Sequence, residues 1–177
     1  MSSSSMDILI IFQDIKNSTN TILEFNQILS NYGIVIEVDG LYYLNDYGEQ
    51  EFDPEDITNP QETLNRIANW PTAGWLEYSV TGYSMLVSFK TLGDFCLSGI
   101  YLSMYESEYN YQKETLDRVI YYLHEHYKPL RTIKGENIFE NFCPEDEITS
   151  VRNGIFEGDY EIDLRYYGNG WNYRFCN

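Results

Sequence analysis

Apolar and polar residues alternate in two rhythms along this chain, one of period two and one near 3.6. Residues 7–13 hold a short apolar run, and Ser18 to Tyr32 then shows helical spacing at Ile22, Phe25, Leu29 and Tyr32, with Leu23 and Ile28 widening the stripe. Thr21 and Glu24 have capping-box spacing, and Gly33 suits a left-handed stop. Ile34 to Val38 is β-branched, and Asp39-Gly40 predicts a two-residue hairpin into Leu41-Tyr-Tyr-Leu44. Residues 45–59 are acidic and turn-rich and predict an exposed loop. Asn59 as cap and Pro60 at the first helical position then open a short helix over 60–69, which buries Leu64, Ile67 and Ala68.

The middle of the chain has the strongest sheet signal. Trp75 to Val80, Ser84 to Phe89 and Phe95 to Met104 are β-rich runs separated by Thr81-Gly82 and Leu92-Gly93-Asp94, the pattern of an antiparallel meander. Met85, Val87 and Phe89 alternate with smaller or polar neighbours, as do Ile100, Leu102 and Met104, so one face is buried. The cover follows: a helix from about Tyr109 to Tyr127 with Leu116, Val119, Ile120, Leu123 and Tyr127 on one stripe, a Glu114–Arg118 pair, and Pro129 to end it. After Gly135 come an acidic turn at Pro144–Glu147, two strand signals at 153–157 and 160–167, and an edge-strand signal in Trp171, Tyr173 and Phe175. The pattern predicts an α+β fold: a single domain over 6–177, behind a flexible serine extension at 1–5, whose antiparallel sheet (meander about 75–104) carries helices on one face.

Composition agrees with a folded globule. The chain has 177 residues, 43% apolar and 16% aromatic, which argues against disorder. Its 28 Asp and Glu outnumber 11 Lys and Arg, for a net charge of −17, so direct nucleic-acid binding, which is driven by basic side chains, is not expected. No positively charged leader precedes an apolar run and no stretch approaches the ~18–20 apolar residues of a membrane span, so no membrane contact is expected. Cys96, Cys143 and Cys176 lie far apart with no CxxC pair, and the expected compartment is the reducing cytoplasm.

Candidate chemistry is sparse. His124 and His126 point roughly 200° apart around a helix and cannot share a metal ion; near a helix C-terminus they are expected to be exposed. No phosphate loop, dinucleotide fingerprint, hydrolase elbow or calcium-loop order is present, so no catalytic residue, metal or cofactor is assigned. Asp159, Glu161 and Asp163 fall on one face of a strand, which reads as a solvated face and alternatively as a cation site or part of a carboxylate enzyme. Phe52-Asp-Pro-Glu-Asp-Ile-Thr-Asn59 echoes Phe142-Cys-Pro-Glu-Asp-Glu-Ile-Thr-Ser150, and Pro-Glu-Asp suits any helix start.

The charge map is more informative. Residues 1–70 carry net −10, 71–109 net −3 and 135–177 net −6, while 110–134 carry net +2. That basic island reads as dipole complement and internal pairing. Elsewhere tyrosines are interleaved with acids, the chemistry of a surface for a basic protein, with rigid rings as anchors and carboxylates for steering. The residues assigned to it are Tyr42, Tyr43, Asp46, Tyr47, Glu49, Glu51, Asp53, Glu55, Asp56, Asp159, Tyr160, Glu161, Asp163, Tyr166 and Tyr167. They face either a basic partner or another copy of the chain.

In size, charge and the strand-meander-then-helix layout from Trp75 to Tyr127, with acidic tyrosine segments at Tyr42–Asp56 and Asp159–Tyr167, the chain resembles the small acidic immunity proteins of bacterial toxin systems. The resemblance implies a non-catalytic inhibitor that covers a basic toxin, often a nuclease. The basic island at 128–134 departs from a uniformly acidic inhibitor. A nucleic-acid mimic that blocks a host defence or DNA-binding protein is the second reading.

Overall fold

The computed structural model describes residues 3–141, 144–167 and 172–175, without the side chains of 13–16, 141, 144, 152, 166, 167 and 172–175. In chain order its elements are β1 (Ser5–Lys16), α1 (Ser18–Asn31), β2 (Ile34–Ile36), β3 (Leu41–Leu44), β4 (Glu55–Asp56), α2 (Pro60–Ala68), β5 (Gly74–Val80), β6 (Tyr83–Gly93) and β7 (Cys96–Tyr105). There follow α3 (Glu106–Tyr111), α4 (Lys113–Tyr127), β8 (Arg131–Glu136), α5 (Ile138–Asn141), α6 (Pro144–Arg152), β9 (Ile162–Tyr167) and β10 (Asn172–Phe175). Every strand pair with a described register is antiparallel, and the class is α+β, as the pattern predicts. Among the described residues no helix is long and apolar enough to cross a membrane. The chain divides into two compact units: a central one, Asp14–Tyr101, and a terminal one built from Met1–Gln13 and Leu102–Asn177.

In the central unit the strand order is β7-β6-β5-β3-β4, with β2 beside β5. The β5–β6 turn is made by Thr81 and Gly82, both at positive φ (50° and 89°), the tight geometry that matches the twist of two antiparallel strands. Alternation sends Leu76, Tyr78, Val80, Met85, Val87 and Phe89 to one face, where all are buried. Helix α1 covers that face: Phe25 meets Phe89 edge-on at 5.7 Å, and the Tyr78 hydroxyl donates to Asn26 at 3.1 Å. Helix α2 packs beside α1 and starts as predicted, Asn59 accepting from the Glu62 N–H at 3.2 Å. Helix α1 stops as predicted at Gly33 (φ +76°) but starts three residues before the Thr21–Glu24 box, because the Asn17 side chain takes the Asn20 N–H.

The predicted hairpin at Asp39-Gly40 is not formed. Strands β2 and β3 both pair with β5, Ile34–Ile36 against Val80–Tyr78 and Tyr42–Leu44 against Leu76–Gly74, so they are one line interrupted by a bulge. Glu77 fills the bulge, its carboxylate accepting the Leu41 N–H at 2.7 Å. The acidic stretch expected as loop contributes β4, which pairs with β3 and is followed by buried Ile57.

In the terminal unit the order is β10-β9-β8-β1. Met6–Phe12 of β1 are buried on both faces. Met6, Ile8, Ile10 and Phe12 face α4, where Phe12 meets Tyr127 edge-on at 5.7 Å. Asp7, Leu9 and Ile11 face the other way, and the Asp7 carboxylate accepts the Phe139 N–H at 3.2 Å and the Ser103 hydroxyl at 2.6 Å. The single long helix predicted over 109–127 is two, α3 and α4, separated at Gln112. Its apolar stripe and the Glu114–Arg118 pair (2.9 Å) are as expected.

Several terminal-unit expectations are corrected. His124 is 1% exposed rather than solvent-facing, with Nδ1 2.8 Å from the Thr132 hydroxyl; His126 is exposed and stacks on Tyr122. Pro144–Glu147 is the first turn of α6 rather than a loop turn, and 153–157 carries no strand. The two Pro-Glu-Asp segments adopt a strand in one case and a helix in the other, so the echo is no structural repeat. Ser4 and Ser5, read as extension, are tied in: Ser4 donates to Glu106 at 2.6 Å and the Ser5 N–H to Asn137 at 2.9 Å. Cys96 is a half-buried free thiol; Trp171, Cys143 and Cys176 lie outside the described residues.

Candidate functional site

The acidic segment of the central unit is an ordered platform. Trp70 is its hub: its indole N–H donates to the Asn45 carbonyl at 2.7 Å, and Phe52 and Tyr47 meet its ring edge-on at 5.0 and 6.2 Å. Asn45 donates to the carbonyls of Thr72 (2.7 Å) and Phe89 (3.2 Å), and Tyr47 and Gln50 exchange backbone hydrogen bonds across Gly48, at φ +64°. Glu49, Glu51, Asp53 and Asp56 project from this frame into solvent. Among the described residues none of the four has a Lys or Arg within ion-pair distance.

Each tyrosine of the segment spends its hydroxyl on a carboxylate. Tyr42 is buried, donates to Glu55 at 2.8 Å and accepts from Arg66, whose guanidinium also meets Glu55 at 3.1 Å. Burial, and then the Glu55 hydrogen bond, raise the Tyr42 pKa. Tyr43 donates to Asp46 at 2.6 Å, and Tyr47 to Asp94 at 2.9 Å; in both, that hydrogen bond is the main reason the hydroxyl pKa is raised. A polar cleft of about 180 Å³ lies beside Arg66, between Glu55, Asp56 and Glu62.

Tyr43 points away from the face that α1 covers. It stacks on Trp75 with ring centroids 5.9 Å apart and planes at 21°. Gly74 permits this approach of β5 to β3, since a Cβ there would lie 1.9 Å from the Tyr43 carbonyl oxygen. Trp75 shares its face with Val35 (50% exposed) and Leu86 (36% exposed). Sequence reasoning left Trp75 out of the site, although its alternation with buried Leu76, Tyr78 and Val80 already put it on the open face.

The second acidic segment is built differently, since Asp163 is buried and Glu161, still exposed, is paired with two lysines. Asp163, expected on a solvated face, is 4% exposed and grips Arg131 in a fork: Nε to Oδ1 at 2.9 Å and Nη2 to Oδ2 at 2.7 Å. Arg131, itself fully buried, also meets Glu147 and the Glu157 carbonyl, and lies over the rings of Tyr160 (5.1 Å) and Phe156 (5.6 Å). Burial pushes Asp163 upward, but hydrogen bonds from Arg131 and Arg165 win and hold it below the usual carboxylate range. For Glu147 burial wins over Arg131, and its pKa is raised. Glu161 is held low by Lys113 and Lys134 against the effect of burial.

Lys134 is fully buried between Asp117 (2.8 Å) and Glu161 (2.9 Å), over the Tyr109 ring at 4.8 Å. Lys113, Arg118, Arg131 and Lys134 of the basic island are therefore paired with carboxylates of the same chain, the last two of them buried, which is the internal pairing expected of it. Asp159 remains exposed, Tyr160 is half-buried, and the side chains of Tyr166 and Tyr167 lie outside the described ones.

Among the described residues no group of three or more His, Cys, Asp or Glu is arranged to hold a metal ion. Burial pushes His124 down to about 4, which keeps its ring neutral at pH 7 in the interior. Compared with known proteins, the chain matches no family model, no curated sequence and no solved structure.

Proposed function

We propose that this is a non-catalytic acidic binding protein that neutralises a basic partner protein in the cytoplasm, as an immunity protein neutralises its toxin. One observation carries the reading: Glu49, Glu51, Asp53 and Asp56 stand exposed on a pinned platform and meet no Lys or Arg among the described residues, whereas buried Arg131 and Lys134 are matched by carboxylates from the same unit. Unneutralised carboxylates on a rigid frame suit a basic partner, because their field steers encounter and little order has to be imposed on binding.

The test is association with the basic product of a reading frame adjacent to this gene, at low and high salt. Affinity falls steeply with added salt, and the combined change Glu49→Gln, Glu51→Gln and Asp53→Asn weakens it by roughly tenfold or more. Affinity that is indifferent to salt and to these three changes would sink the reading.

A further inference from the structure

Three cations of this protein share one seat, over an aromatic ring with carboxylates beside it, whereas Lys113 and Arg118 meet a carboxylate alone. Arg66 lies over Tyr42 (5.8 Å) with Glu55, Lys134 over Tyr109 with Asp117 and Glu161, and Arg131 over Tyr160 with Asp163 and Glu147. The pairing has a plain cause: the negative face of the ring and the carboxylates attract the same charge, and the ring also shields it from water.

The uncovered face of the central unit repeats the arrangement with one component absent. Tyr43 and Trp75 stack there, Asp46 is hydrogen-bonded to the Tyr43 hydroxyl at 2.6 Å, and after the Asp46 contacts the charges of Glu51 and Asp53 are felt at that hydroxyl. Among the described residues no Lys or Arg lies over either ring; Lys90, the base on the same face of β6, lies over Tyr101 at 5.5 Å. The surroundings select a positive occupant. A second copy would bring the same carboxylates, and an apolar segment would leave them unanswered.

We propose that the Tyr43–Trp75 stack is the anchor point for an arginine side chain of a basic partner protein, with Asp46, Glu51 and Asp53 as its counter-charges. Arginine fits better than lysine, since a planar guanidinium can lie flat on the indole while its edge forks to a carboxylate. The inference rests on the proposed function and adds to it the contact chemistry and one new residue, Trp75.

A hexa-arginine peptide titrated into the full chain at low salt, followed by amide and indole NMR signals, tests it. The largest shifts are expected at the Trp75 indole and at residues 43–53, and Trp75→Leu should weaken binding roughly three- to tenfold. Glu51→Gln with Asp53→Asn should weaken it similarly in an otherwise untouched fold, which keeps the test decisive if Trp75→Leu unfolds. The matched-charge control Glu125→Gln with Glu140→Gln, on exposed residues of the terminal unit, should change it less than twofold. Hexa-lysine should bind more weakly than hexa-arginine. Shifts spread evenly over the acidic surface, or equal losses from test and control pairs, overturn the anchor while leaving the acidic-binder reading intact. If neither the peptide nor the adjacent gene product binds at any salt concentration, both fail together.

Discussion

The two units use the same residue types to opposite ends. In the terminal unit Arg131 and Lys134 are fully buried in a strand covered on both faces, and Asp163, Glu147, Asp117 and Glu161 converge on them from three other elements and the turn before β9. In the central unit α1 covers one face of the sheet, and among the described residues Glu55 alone of the segment's carboxylates meets a base, Arg66. Charge thus holds the first unit together and is left outward in the second. A carboxylate near many others can be glue or bait, and what decides is whether a cation from the same fold reaches it.

That contrast can be broken most forcefully at Arg131. Replacing it by Met takes the cation from Glu147 and leaves Asp163 with Arg165 alone, and should cost about 3–5 kcal/mol, read by urea denaturation. Changing Arg131→Met, Asp163→Leu, Glu147→Leu and Arg165→Met together should recover much of that loss, because both sides of every ion pair at Arg131 and Asp163 are then removed. A single change that shifts stability by less than about 1 kcal/mol would show that these charges do not hold the unit.

The next effect is a pH dependence from His124. Its folded pKa, about 4, lies below the ordinary 6.5, so the unfolded chain binds the extra proton between those values. Its contribution is complete above pH 6.5 and is lost as pH falls towards 4, by about 3 kcal/mol in all. His124→Gln should flatten that part of the stability profile. Asp163 acts at lower pH: its depressed pKa contributes stability above 3.8 that disappears as pH drops further.

Smaller again is Arg66→Ala in the central unit. It removes the partner of Tyr42 and Glu55, but Arg66 and Glu55 are each about half exposed, so thermal melting should report a loss of about 1 kcal/mol or less. Smallest of all, Glu49→Gln with Glu51→Gln and Asp53→Asn should leave the urea midpoint unchanged or slightly raised while binding falls. A clear drop in the midpoint would mean that these carboxylates are structural after all, and the contrast between the units would collapse.

Much of this fold is legible in the sequence because it rests on local pattern: the helix over 18–32, the Asn59-Pro60 start and the Trp75–Met104 meander depend on spacing and turn chemistry within a few residues. What escaped depends on distant partners. Nothing near Arg131 announces Asp163, 32 residues on, and Asp39-Gly40 has hairpin chemistry but serves as a bulge because β5 is long enough to pair with both flanking strands. His124 is a different miss. It falls four residues after Ile120 and three before Tyr127, so the helical spacing itself pointed inward, against the polarity of the side chain. In the site, interleaved Tyr and acid residues were legible, but not that most of the hydroxyls are already occupied by carboxylates.

The chain enters the central unit within β1 and leaves it within β7, so the terminal unit is assembled from the two ends of the sequence. Met6–Ile11 of β1 pair with Arg131–Glu136, about 125 residues later. At synthesis rates of ~5–20 residues per second, the Ile8–Phe12 run waits on the order of 6–25 seconds on the ribosome for that partner strand. The central unit, with its unneutralised carboxylates, is contiguous and complete well before then. Like charges on finished central units repel one another, which keeps the waiting apolar run of one nascent chain away from that of the next.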